Sequence, residues 1–211
     1  AGGQLGTTIT TAATTAVFDS TAVLGISGHS NGATLPWAGK IYALKVRNGI
    51  NGTLVADFNA SNLPYPYRSY TDVTGSNAGV WTVNGWAPTM VGHAQLGSSA
   101  VANSNAPLDL WPADTPYVYL PGIAANYVSM PDTAATSITG DLELVACVAA
   151  EDFTPAANGA LVAKYLTTGN QRSYLLQINT AGTLSLIWSA DGTTTSTSTS
   201  TTALPAADYQ R

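Results

Sequence analysis

The sequence predicts an all-β protein, and three observations carry that expectation. Charged residues make up only 9% of the 211-residue chain, where about a quarter is usual. Long exposed helices need charged outer faces, so few of them are expected. Short segments alternate apolar and polar side chains with period two, between turns rich in Gly and Asn. No segment combines a helical period with caps.

The first clear strand is Lys40 to Arg47. Alternation places Tyr42, Leu44 and Val46 on one face and Lys45 and Arg47 on the other. Asn48-Gly49 and Asn51-Gly52 follow, and either pair supplies left-handed positions for a tight hairpin turn. Thr53 to Phe58 is then the return strand. Asp141 to Val148 repeats the pattern, with Leu142, Leu144, Ala146 and Val148 inward. Arg172 to Asn179 and Thr183 to Ser189 form two more strands joined by Thr180-Ala181-Gly182. In the second of these, Leu184, Leu186 and Trp188 share a face. Thr193 to Thr202 is nearly all Thr and Ser. Thr is β-branched and favours strands, so an exposed strand or long loop is expected there rather than disorder.

The middle of the chain, about Ser61 to Pro116, differs. It carries Pro64, Pro66, Pro88, Pro107, Pro112 and Pro116, interleaved with Tyr65, Tyr67, Tyr70, Trp81, Trp86 and Trp111. Prolines at this density interrupt ladders, so strands should be short, and Gly79 to Asn84 is the one credible case. Packing onto neighbouring sheets is the expected role of most of these aromatics. A sugar-stacking or partner-docking surface is the alternative.

Composition excludes some partners. The net charge is −5 and the seven Lys and Arg are scattered from Lys40 to Arg211, so neither nucleic acid nor an anionic membrane is an expected partner. No apolar run approaches the 18 or so residues that would span a bilayer. The first residues, Ala1 to Leu5, do not read as a signal peptide. The lack of an initial Met suggests a processed chain or part of something longer. The single cysteine, Cys147, cannot form an internal disulfide, and is expected to be a small buried hydrophobe on a strand. That suits a chain made and assembled in a cytosol better than a disulfide-rich ectodomain.

Three groups of residues then resemble a known family. Tyr127 to Asp132, continuing through Ser137 to Leu144, looks like the opening strands of concanavalin A-like, laminin G-like jelly rolls. Leu161 to Tyr165, Thr168 to Tyr174 and Thr180 to Leu184 look like the strands that follow. Gly39 to Gly49 resembles the closing strand. Similar runs occur in minor tail and capsid-associated proteins of phages infecting actinobacteria. The resemblance implies a jelly-roll β-sandwich at a virion surface or outside a cell, acting as a minor tail, fibre or capsid-decoration protein. Its implied partners are other copies of itself or other virion proteins, and host-surface glycan in an adhesion role.

The order of the parts is unusual. Residues 1–60 read as the closing half of a jelly roll, 61–117 as a Pro- and aromatic-rich connection, and 118–211 as an opening half. Three explanations compete. The chain is a stretch between two tandem repeats, or a permuted single sandwich, or a unit whose closing half completes the opening half of the next copy as a fibre. The first is preferred and the fibre comes next.

Chemistry is sparse. Glycosidases of this fold need paired carboxylates, and the one pair sharing a strand face is Asp141 and Glu143. They read as a solvated strand edge, which leaves a glycoside hydrolase a distant alternative. Glu151 and Asp152 are adjacent and are expected in the loop before Phe153. His29 and His93 are isolated. Ser27-Gly28-His29-Ser30-Asn31-Gly32 lacks the spacing of a nucleophile elbow and reads as a turn between strands. No zinc pattern and no Asp-rich calcium loop is present. Related modules often bind calcium, but no constellation here picks out its ligands. Asn51-Gly52-Thr53 and Asn59-Ala60-Ser61 match the N-glycosylation pattern by chance in such a setting. No catalytic, cofactor or metal residue is therefore assigned, no cofactor is expected, and the chain is read as non-enzymatic.

Overall fold

A computed structural model describes residues 16–63, 69–72, 79–85, 89–91 and 116–204. Among them run thirteen strands: β1 (Leu24–Ile26), β2 (Ala38–Asn48), β3 (Thr53–Asn59), β4 (Ser69–Asp72), β5 (Gly79–Val83), β6 (Thr89–Val91), β7 (Tyr117–Pro121), β8 (Val128–Met130), β9 (Leu142–Ala150), β10 (Gly159–Leu166), β11 (Gln171–Ile178), β12 (Leu184–Ser189) and β13 (Thr195–Thr199). Every pairing between them is antiparallel. One sheet has eight strands in the order β13-β12-β11-β10-β1-β8-β5-β4. The other has five, centred on β2. Strand β9 runs along one side of β2, while β3 and β7 take half each of the other side.

Both sheets contain strands from before and after the middle of the chain. β1 lies between β8 and β10, and β2 lies against β7 and β9. One core joins the sheets. Leu24, Ile26, Val162 and Tyr174 come from the larger sheet, and Ile41, Leu44, Val46, Phe58, Val118 and Leu120 from the smaller. The middle of the chain feeds the same core. Trp81 is fully buried against Phe58, with ring centroids 5.4 Å apart. Its indole N–H donates to Asp72 at 3.1 Å. The Tyr70 hydroxyl donates to the Asp57 carbonyl and accepts from the Asn59 N–H. These two aromatics pack as expected. Tyr65, Tyr67, Trp86, Trp111 and His93 lie outside the described residues, as do residues 1–15 and 205–211.

Two local expectations need correction. Tyr42 does not share the core face of β2 with Leu44 and Val46; Ile41 does. The pairing with β9 shifts by one residue between Ile41 and Ala43. This bulge reverses the alternation, so Tyr42 is buried elsewhere, edge-on to Tyr117 at 5.8 Å. Cys147 is not deeply buried. Its neighbours Ala146 and Val148 pack on the core, so Cys147 takes the opposite face and is half-buried there. The remaining turns follow the sequence. Gly49 and Asn51 are left-handed in the hairpin between β2 and β3, and Gly182 is left-handed between β11 and β12. The Thr-rich segment supplies β13, an exposed strand on the edge of the eight-stranded sheet.

A lysine is built into the core. Lys164 on β10 is fully buried. It stands opposite Leu24 on β1 and Tyr174 on β11. Its ammonium sits 2.9 Å from an Asp132 carboxylate oxygen and donates to the Ser20 carbonyl. One side chain thus ties together the segment before β1, strand β10 and the turn after β8. Burying an ammonium is costly unless it is paired, so the pair fixes where these three pieces meet. Asp132→Ala, which strands the buried charge, should lower stability by about 3 kcal/mol. Lys164→Met should cost clearly less, because the Asp132 side chain is 29% exposed and can face water. Urea denaturation of both variants checks this, and equal losses would contradict it.

Candidate functional site

One concavity among the described residues lies where four strand ends meet. β2 starts at Ala38, opposite Pro121 at the end of β7. β9 finishes at Ala150, opposite Gly39, and β10 starts at Gly159. Trp37 closes the floor and is only 2% exposed. Two glycines make room for it. A Cβ on Gly39 would lie 2.7 Å from the Trp37 ring and 2.4 Å from the Ala149 carbonyl, and a Cβ on Gly159 would press on the ring from another side. The resulting cleft has a volume of about 400 Å³, within the range of small-ligand sites. Pro36, Pro121, Pro155, Ala156 and Ala157 supply apolar lining, and Glu151, Asp152 and Asn158 the polar groups.

Each polar group is held at one atom. A Glu151 carboxylate oxygen accepts from the Tyr119 hydroxyl. Asp152 Oδ1 accepts from the Thr154 N–H at 2.7 Å and the Thr154 hydroxyl at 2.9 Å. Asn158 Oδ1 accepts from the Thr180 N–H at 3.2 Å. The hydrogen bond to Glu151, then burial, then the carboxylate charge push the Tyr119 phenol up to about 12. The Trp37 indole N–H is buried without a partner among the described residues.

A second, smaller depression lies on the outer face of the larger sheet. Gly25 and Ala163 lie next to each other in the ladder there, and His29, Tyr127 and Tyr165 surround them. The segment Ser27 to Gly32 is a turn between β1 and β2, as expected, closed by an isolated bridge between His29 and Thr34. Ser27, Gly28, Ser30, Asn31 and Gly32 are all left-handed. His29 packs edge-on to Tyr165 at 5.1 Å, and burial lowers its pKa.

Of the residues weighed for catalysis, Asp141 and Glu143 lie at the β2–β3 turn, at the other end of β9 from the cleft that Glu151 and Asp152 line. Asp141 lies just before β9, and its carbonyl accepts from the Gly49 N–H. The Glu143 carboxylate accepts from the Asn51 N–H at 2.6 Å, so it is engaged with the β2–β3 turn. Glu151 and Asp152 do lie in the loop after β9. Their convergence with Tyr119, Trp37 and Asn158 was not visible in the sequence, because it depends on which strand ends the topology gathers. Among the described residues, no three His, Cys, Asp or Glu side chains are grouped to hold a metal ion. No family model, no curated protein and no solved structure matches the chain.

The Tyr119–Glu151 bond has a measurable consequence. The raised phenol pKa means that the folded chain keeps a proton which the unfolded chain loses near pH 10. The stability this bond contributes is therefore full below pH 10 and declines as pH rises toward 12. In an ultraviolet titration one phenol should ionise near 12, and Glu151→Gln should bring it back toward 10. An unchanged titration curve in the variant would contradict the bond.

Proposed function

We propose that the chain is a non-enzymatic structural protein of a phage particle surface, such as a minor tail, fibre or capsid-decoration protein. It is built on a jelly-roll sandwich of the concanavalin A-like, laminin G-like type, and it joins further copies or other virion proteins by strand addition. The observation that supports this best is the edge of β9. The Gly49 N–H donates to the Asp141 carbonyl, and the Glu151 N–H donates to the Ala38 carbonyl. In an antiparallel ladder alternate residues turn their main chain toward the partner. Odd-numbered residues from 141 to 151 therefore face β2, and Leu142, Leu144, Ala146 and Val148 direct theirs to the other side. Among the described residues, no strand pairs with β9 on that side.

Within its own sequence the edge also lacks the usual protecting residues. Edge strands are commonly guarded by Lys, Pro or inward-pointing charge. The nine residues of β9 include one charge, Glu143, and no proline. Its core-facing Leu142, Leu144, Ala146 and Val148 are only partly buried. An added strand would pair the main-chain groups that have no partner among the described residues and cover these side chains. The low charge and the Thr-rich β13 fit a surface that ends in contacts with other proteins.

Light scattering tests strand addition. The mass of the purified chain should rise above 21.6 kDa with concentration. Ala146→Pro removes an N–H that points away from β2, so it should return the chain to monomer with unchanged far-UV circular dichroism. A wild-type chain that stays monomeric at every concentration would contradict assembly between copies.

A second reading, a glycan-binding adhesion module, is favoured by the cleft above Trp37. A glycan array without hits would count against it.

A further inference from the structure

We infer that the cleft between Pro36, Pro121 and Pro155 is a saccharide subsite read by Glu151, Asp152 and Asn158, an inference that rests on the glycan-binding reading. Three polar side chains converge on one apolar concavity, and each is fixed at one atom and unspent at another. Tyr119 occupies one oxygen of Glu151. Thr154 occupies Oδ1 of Asp152. The Thr180 N–H occupies Oδ1 of Asn158. Among the described residues, the second Glu151 oxygen, Asp152 Oδ2 and Asn158 Nδ2 have no protein partner.

Such anchoring holds the free atoms in place before a ligand arrives, which lowers the ordering cost of binding. The free set comprises two acceptors and one amide donor. A bare ammonium would satisfy the two carboxylates but could offer Asn158 Nδ2 nothing to bond. A carboxylate or phosphate would be repelled by Glu151 and Asp152. A polyol fits all three, because each hydroxyl both donates and accepts. The proline and alanine walls suit the C–H faces of a sugar ring, and about 400 Å³ accommodates a single pyranose.

The test is saturation-transfer NMR on the full chain. The probes are free hexoses, N-acetylhexosamines and pentoses, with butylamine as the cationic control. At least one sugar should receive saturation. Asp152→Asn keeps Oδ1 for Thr154 but turns the free acceptor into a donor. Asn158→Asp keeps Oδ1 for Thr180 but removes the donor. Each should weaken the sugar by about ten-fold or more, the loss expected for a hydrogen bond to a charged or buried group. Glu143→Gln, which lies at the opposite end of β9, should leave binding unchanged. Sugar binding that neither Asp152→Asn nor Asn158→Asp weakens would overturn this subsite and leave the glycan reading standing. No sugar binding at all would overturn both. Butylamine binding without sugar binding would overturn the subsite in favour of a lysine side chain from a partner protein.

Discussion

The pairing of β2 with β9 is the constraint on which the rest of the structure depends. The two strands stand almost a hundred residues apart, yet they pair from Gly39–Ala150 to Asn48–Leu142. Without that ladder, β9 would have no strand partner among the described residues, and β2 would keep only β3 and β7. The pairing also places Ile41, Leu44 and Val46 beside Val148, Ala146 and Leu144, which makes one continuous apolar face for the smaller sheet. The larger sheet repeats the device on a smaller scale. The three residues of β1 lie between β8 and β10, so a short strand is held by two neighbours far from it in the chain. Contacts this distant in sequence carry a loop-closure cost before they stabilise anything. The Lys164–Asp132–Ser20 cluster then pins the segment that leads into β1.

The same architecture generates both surfaces of interest. β9 leaves β2 at Ala150, and the chain must cross from the smaller sheet to the larger before β10 begins at Gly159. That crossing carries Glu151, Asp152 and Asn158 to the end of the sandwich, where β7 also ends at Pro121. The cleft is therefore a product of the crossover rather than of one motif. Along its length β9 has a different character. One side is committed to β2, and on the other no strand pairs with it among the described residues, beside core residues that are only partly buried. One strand thus ends in a concavity of about 400 Å³ and, among the described residues, has a strand partner on one side only.

How much of this was legible in the sequence varied with the kind of element. β2, β3, β5, β9, β11 and β12 were readable from their residues and from the turns that flank them, and the turns at Gly49–Gly52 and Gly182 were readable from theirs. The phase slip at Ile41 and Tyr42 was not, because both side chains are apolar enough to face inward and only the partner's register decides between them. β10 buries its first six residues on both faces, so it shows no alternation. Within it nothing in the local sequence marks Lys164 as buried, since its partner Asp132 lies 32 residues away. Cys147 was expected inside because of its residue type, but the alternation of its own strand places it outside. The cleft was the least legible feature. Glu151 and Asp152 were correctly expected in a loop, but a loop's role depends on what the topology brings to it.

The register of β2 against β9 can be tested with one substitution. Ala43 stands directly opposite the only native cysteine, Cys147. Hydrogen-bonded antiparallel neighbours have Cα atoms about 5.5 Å apart, within the range a disulfide can span. On mild oxidation Ala43→Cys should form an intramolecular bridge, read as a loss of about two mass units for the two thiol hydrogens and as the disappearance of free thiol from monomeric protein. Two thiols that stay free and react independently under the same conditions would contradict the pairing that joins the two parts of the chain.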